Sequence, residues 1–206
     1  DNGAFGMKLT TRPAATVTMA ITGVAGEYSM LPSNPLNLVF TSANWFTTVS
    51  ATMSAIDDVI DLAANPSTNV LIASKSSDSG WDGLASTAGL VVMERVDDDT
   101  AGTTTSPTSR TIAEGINTAT VDFSLDTSPT ALVTATVTST NTAAETTSAA
   151  ITFSPANYNV AQQMTFTSAT DNIDHPTNLA ATMNIAVTSA DGMYNGIATQ
   201  SVAVTM

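Results

Sequence analysis

The sequence has no cysteine and a single histidine, and it carries only 5 Lys plus Arg against 18 Asp plus Glu in 206 residues, a formal net charge of -13. Without cysteine there is no disulfide frame, no thiolate zinc site and no thiol nucleophile, which leaves a purely packed fold or one bridged by hard oxygen ligands. So few cations cannot assemble a surface that tracks phosphates, and nucleic acid is a poor partner. Apolar runs are broken by Thr or Ser well short of the roughly 18 residues a spanning helix needs, so no membrane insertion is expected. No basic or apolar leader follows Asp1, and the expectation is a mature chain or a piece of a longer one. No Asn stands in an acceptable Asn-x-Ser/Thr sequon; Asn65 fails because Pro66 follows it.

The residues present are Thr, Ala, Ser and Val above all. At 43% hydrophobic the chain is too apolar for disorder, and Thr and Val favour strands. Val17, Met19 and Ile21 alternate with Thr16, Thr18 and Ala20, and Val133, Ala135 and Val137 alternate with Thr134, Thr136 and Thr138, the period of a half-buried strand. Further short runs lie at 36–40, 70–73, 90–96, 150–153, 164–166, 183–187 and 202–206, bounded by Gly, Pro, Asn, Asp or Ser. Strands at this spacing, with no helical pattern between them, predict all-β sandwiches or barrels.

Laid on itself, the chain repeats. Leu9, Pro13 and Val17 match Leu125, Pro129 and Val133; after a short loop deletion Phe40, Asn44, Ile60, Asp61 and Gly83 match Phe153, Asn157, Ile173, Asp174 and Gly196. Trp45 and Trp81 fall opposite Tyr158 and Tyr194, bulky rings filling one position in each core. Each copy has the size of one immunoglobulin-like sandwich, and the boundary is placed at Asp99, with repeats over 1–99 and 100–206. The Thr/Ser/Pro stretch Thr103–Ser109 reads as the segment between them. In this phase Met206 is equivalent to Met93 and Asp1 to Asn117. The first copy is then expected to be incomplete at its N-terminal strand segment and the second to miss its terminal acidic segment, as in a fragment of a longer array or a subunit whose sheet a neighbour completes.

The second copy contains DDDTAG, SPTSRTIAEG, ATVDFSLDTSPTALVTATVTS, ITFSPANYNVAQQMTFTSATDNID and SADGMYNGIATQSVAVTM; the first contains LTTRPAATVTMAITG, LVFTSANWFTTVSATMSAIDDVID and GWDGLASTAGLVVMERVDDD. In this fixed order, twice, the motifs resemble the Calx-beta-like, immunoglobulin-type tandem repeats of large extracellular surface proteins. The resemblance implies Ca2+ held at one end of the sandwich by acidic residues of separate loops: Asp57, Asp58, Asp61, Asp97, Asp98 and Asp99 in the first repeat, and Glu114, Asp171 and Asp174 in the second. The second set departs from the pattern, because Thr170 stands opposite Asp57. Independently of the resemblance, calcium takes six to eight hard oxygens, which carboxylate-rich loops supply, and three consecutive Asp residues repel one another unless screened. The bland alternative is a solvated acidic linker. Glu27 and Glu145 fall in corresponding loops and are not expected to contribute.

Catalysis has little to stand on. His175 sits beside Pro176 as a solvated loop residue, and there is no GxSxG elbow, Walker loop or dinucleotide fingerprint. The expected function is therefore a non-enzymatic structural module of an extracellular or cell-surface protein or filament, rigidified by calcium at the interdomain junction and contacting neighbouring repeats of the same or an identical chain. The alternative is an adhesin module in which exposed loops such as 74–82 contact a surface glycan or protein.

Overall fold

A computed structural model of the chain describes residues 2–23, 28–31, 35–85, 91–115, 117–141, 144–146, 149–170, 173 and 177–206. The fold is all-β and immunoglobulin-like, in two compact units: Asp1–Asp58 with Ala64–Val96, and Val59–Ala63 with Asp97–Met206.

The first unit holds β1 (Asn2–Met7), β2 (Val17–Thr22), β3 (Tyr28–Leu31), β4 (Leu36–Phe40), β5 (Val49–Ala55), β6 (Ser67–Asn69), β7 (Leu71–Ser76) and β8 (Val92–Glu94). Its sheets run β1-β5-β3, β4-β2-β7 and β6-β8, every pairing antiparallel. The alternation read in the sequence is the burial pattern. In β2 Val17, Met19 and Ile21 are buried, and in β4 Leu36, Leu38 and Phe40 are, while the residues between them are more exposed. With Ala51 and Met53 of β5 and Val70 and Ile72 they form one core, each large side chain contributing on the order of 1.5–3 kcal/mol by leaving water.

The second unit holds β9 (Thr103–Ser106), β10 (Ser109–Thr111), β11 (Thr118–Leu125), β12 (Val133–Ser139), β13 (Ala144–Thr146), β14 (Ile151–Phe153), β15 (Gln162–Ser168), β16 (Ala180–Ser189) and β17 (Gln200–Thr205). The sheets run β10-β17-β16-β12-β14 and β13-β15-β11-β9. Phe123, Phe153, Phe166, Met183 and Ile185 fill the core between them.

The duplication holds at the level of register. Val17 pairs with Phe40 on one side and Ser76 on the other; Val133 pairs with Phe153 and Ser189, the same positions in the second copy. Likewise Met7 pairs with Val49, and Phe123 with Gln162. A register shift of one residue turns every side chain to the opposite face, so matching registers preserve matching cores.

Two expectations change. The Thr103–Ser109 stretch is not simply connecting segment: β9 pairs with β11 and β10 runs parallel to β17, on either side of a cis Ser106–Pro107 bond. Such a polar stretch has no apolar period to announce it, and the open ladders of its neighbours make it a strand. The repeat phase at the end of the chain also shifts. Ser67 pairs with Glu94, whereas its counterpart Ala180 pairs with Thr205, so Met206 lies level with Arg95 rather than Met93.

Candidate functional site

The polar side chains with the clearest architecture are a pair of aspartates in the equivalent segments Ser76–Gly83 and Ser189–Gly196. In the first unit Asp78 Oδ2 accepts the Ala14 N–H at 2.7 Å and Oδ1 the Gly80 N–H at 3.0 Å. In the second, Asp191 Oδ2 accepts the Thr130 N–H at 2.7 Å and Oδ1 the Met193 N–H at 2.9 Å. Ser76 Oγ and Ser189 Oγ accept the N–H of the respective aspartate at 3.0 and 2.9 Å. Each turn ends on a glycine in the left-handed region, Gly83 at φ 68° and Gly196 at φ 96°, where a Cβ would be strained. The aspartate thus fastens its turn to the segment ahead of β2 or β12. The Ala14 and Gly80 N–H groups hold the Asp78 carboxyl below the ordinary range, outweighing the small effect of burial. At Asp191 burial pushes upward, but the N–H groups of Thr130 and Met193 outweigh it and the net shift is downward.

The aromatic positions are built into the same frame. Tyr194 is 1% exposed; its hydroxyl donates to the Thr127 carbonyl at 2.7 Å and accepts the Thr127 N–H at 3.1 Å. Burial raises its pKa above the usual phenol value, against the Thr127 hydrogen bonds. Trp45, Trp81 and Tyr158 are half-buried and pack on their cores, as their alignment implies. Asn44 and Asn157 close matching turns, accepting the N–H of Thr41 at 2.5 Å and of Ser154 at 2.6 Å.

The acidic residues named from the resemblance are used differently. Asp58 forms an ion pair with Arg95, a buried residue whose side chain also donates to the Ile56 carbonyl. In the second unit Asp61 Oδ2 accepts the Ala101 N–H at 2.6 Å, Asp97 Oδ2 accepts the Leu62 N–H at 2.7 Å, and the Ser128 N–H donates to the Val59 carbonyl at 2.7 Å. The structure therefore joins segment Val59–Ala63 to Asp97–Ala101 through two carboxylates. Asp57 and Asp98 are exposed and Asp99 is half-buried. Glu114 is exposed in a turn whose carbonyl accepts from Asn117 Nδ2 at 3.1 Å. Asp171, Asp174, Glu27 and His175 lie outside the described residues, as does the side chain of Glu145.

Calcium needs six to eight oxygens converging on one point. Among the described residues no group of three or more His, Asp or Glu side chains stands together to hold a metal ion. With Asp58 on Arg95, and Asp61 and Asp97 on backbone N–H groups, these donors as placed do not fit the cation. What they do is accept hydrogen bonds and hold loops. Sequence reasoning passed over Asp78 and Asp191, although the repeat alignment places them opposite each other within Ser-x-Asp-x-x-aromatic-x-Gly, a signal that was there to be read.

No protein-family model matches the chain, and no curated protein matches it. Among solved structures it is similar to a protein of unknown function from Porphyromonas gingivalis W83, with 10% identity over 100% of this chain and 92% of that one and a TM-score of 0.35. It is also similar to CBD12 from CALX1.2, with 12% identity, 100% and 93% coverage and a TM-score of 0.39, and to the D0-D1 domain of Intimin, with 12% identity, 99% and 87% coverage and a TM-score of 0.27. The fold assignment rests on the registers of this chain itself. Among the described residues no helix is long and apolar enough to cross a membrane.

Proposed function

We propose that the chain is a non-enzymatic structural repeat module of an extracellular or cell-surface protein or filament, set among neighbouring repeats of the same or an identical chain. One observation carries this reading: the polar groups at the equivalent turns of both copies serve the fold. Asp78 and Asp191 fasten the same segment, Asn44 and Asn157 close the same turn, and these groups are spent on backbone N–H donors. Duplicating internal bracing while the surface residues drift is what a spacer requires.

The finer form of the reading adds Ca2+ at the acidic segment, supported by the mutual repulsion of Asp97, Asp98 and Asp99. The hydrogen bonds of Asp61 and Asp97 support a metal-free form, which we adopt. In the loop that an adhesin would present, Ser76 N–H donates to Asp82 at 3.0 Å and Asp78 is committed to Ala14, so these two carboxylates are turned to the protein's own backbone.

Single-molecule stretching tests the proposal. Two unfolding steps are expected, each releasing roughly 30 nm for about a hundred residues at ~3.5 Å apiece, in buffer with or without calcium. Saturable binding to a glycan or protein panel, lost on replacing the 74–82 loop, would establish the adhesin instead.

A further inference from the structure

The two copies share registers, yet they differ at two sheet edges. In the second unit β9 covers the outer edge of β11, and β10 covers the outer edge of β17. The counterparts in the first unit are β1 and β8, each of which ends its sheet among the described residues. The consequence shows in the core. Val121 and Phe123 of β11 are 1% and 0% exposed, and Val202 and Val204 of β17 are 0% and 1% exposed. Their register counterparts Phe5, Met7, Val91 and Met93 are only partly buried, although they pack on the core of the first unit. These four positions lie on or next to strands whose outer edges β9 or β10 would cover.

We infer that the outer edges of β1 and β8 accept one added strand with the chemistry of Thr103–Ile112, a Thr/Ser-rich extended segment that changes sheets at an internal proline and ends on an apolar residue. The inference rests on the structural-repeat reading and names the partner that reading leaves open. Strand addition to an exposed edge gains affinity from main-chain hydrogen bonds and specificity from alternate side chains. The second unit supplies the pattern. Ser106, Thr105, Thr104 and Thr103 lie opposite Asp122, Phe123, Ser124 and Leu125, which places the added strand opposite Gly6, Met7, Lys8 and Leu9. The Asp126 N–H donates to the Gly102 carbonyl at 3.0 Å on this side, and strand alternation turns the Ser124 and Asp122 amides the same way. Their counterparts are Lys8 and Gly6, whereas the Leu9 amide is already given to Trp45. On the other sheet the Ala203 N–H donates to the Thr108 carbonyl at 3.0 Å, and its counterpart is Val92. Ile112, 3% exposed, closes the core of the second unit, and an equivalent residue would do so over Met93 and Phe5.

The occupant is a segment of this kind carried by a polypeptide with the same repeat, rather than the β1 edge of a second copy, because only such a segment bridges both sheets. The test extends the full 206-residue chain at its N-terminus with a copy of residues 103–116, the spacing that the alignment of Asn117 with Asp1 requires. Amide exchange at Gly6, Lys8 and Val92 is expected to slow roughly tenfold or more relative to the unextended chain. An extension carrying Thr104→Pro, which removes a ladder donor, is expected to lose the protection at Gly6 and Lys8. Unchanged exchange at these amides, equal protection by the proline extension, or a dimer of the unextended chain that already protects Gly6 and Lys8 would each overturn the inference. None of these outcomes touches the structural reading, which is measured by stretching.

Discussion

The carboxylate of Asp191 accepts the backbone N–H of Thr130 across 61 residues of sequence at 2.7 Å, and this bond holds one turn of the second unit to the entrance of β12. Asp191 is 6% exposed and also accepts from Met193. Asp191→Ala leaves two N–H groups without their acceptor and is expected to cost about 2–3 kcal/mol. Asp78→Ala is expected to destabilise the first unit in the same direction but less, since that side chain is more open to water. Chemical denaturation of the two variants, read by the fluorescence of Trp45 and Trp81 for the first unit and by amide exchange in β12 for the second, checks both.

The same two carboxylates predict an acid limb. Both are held below their ordinary range, so at low pH the unfolded chain binds the proton first. Their contribution is complete above the unfolded value of about 4 and is lost as pH falls through the lower folded value. Thermal melts across about pH 2 to 6 should show midpoints falling with acid, and an Asp78→Asn, Asp191→Asn double variant should show a flatter limb. An unchanged limb in the variant would refute this assignment.

Tyr194 gives the opposite limb. Its pKa is raised by burial, so the neutral phenol contributes fully below the unfolded value of about 10 and is lost as pH rises through the folded one. Tyr194→Phe strips the partner from the Thr127 N–H and hydroxyl and is expected to cost on the order of 1–3 kcal/mol at neutral pH. Ultraviolet titration of the phenols should show the late-ionising Tyr194 component of the wild-type chain missing from the variant.

The metal-free form of the acidic segment is open to direct measurement. The thermal midpoint is expected to stay within about 1 °C between excess chelator and millimolar calcium, because a ligand at a hundred times its Kd would add about 2.7 kcal/mol. In chelator, Asp61→Ala and Asp97→Ala should each cost about 1–2 kcal/mol for the lost bonds to Ala101 and Leu62. A calcium-dependent rise that disappears in a variant carrying Asp97→Asn, Asp98→Asn and Asp99→Asn would replace this form with a cation site.

The strands legible in the sequence were those with one apolar face. β2 and β12 were marked by alternation, β4 and β17 by short apolar runs between turn residues, and the matching cores by the repeat of Val17, Phe40, Val133 and Phe153. β5, β9 and β10 were not. Their sequences VSATMSA, TTTS and SRT carry few large apolar residues, and their strand state depends on the ladders beside them. At the candidate site, residue type was a poor guide. Asp58 and Asp61 are close in sequence, yet one carboxylate goes to Arg95 in the first unit and the other to Ala101 in the second.

By itself the sequence determined the class and the plan: a cysteine-free, acidic, duplicated β protein whose period-two patterns specify which faces are buried. That information is local, because it lies in the spacing of side chains along each strand and in the comparison of one copy with the other. Only the tertiary structure decided where the carboxylates are spent and which strands end their sheets among the described residues, since a hydrogen bond from Thr130 to Asp191, or the place of β1 beside β5, exists only once distant segments have been brought side by side.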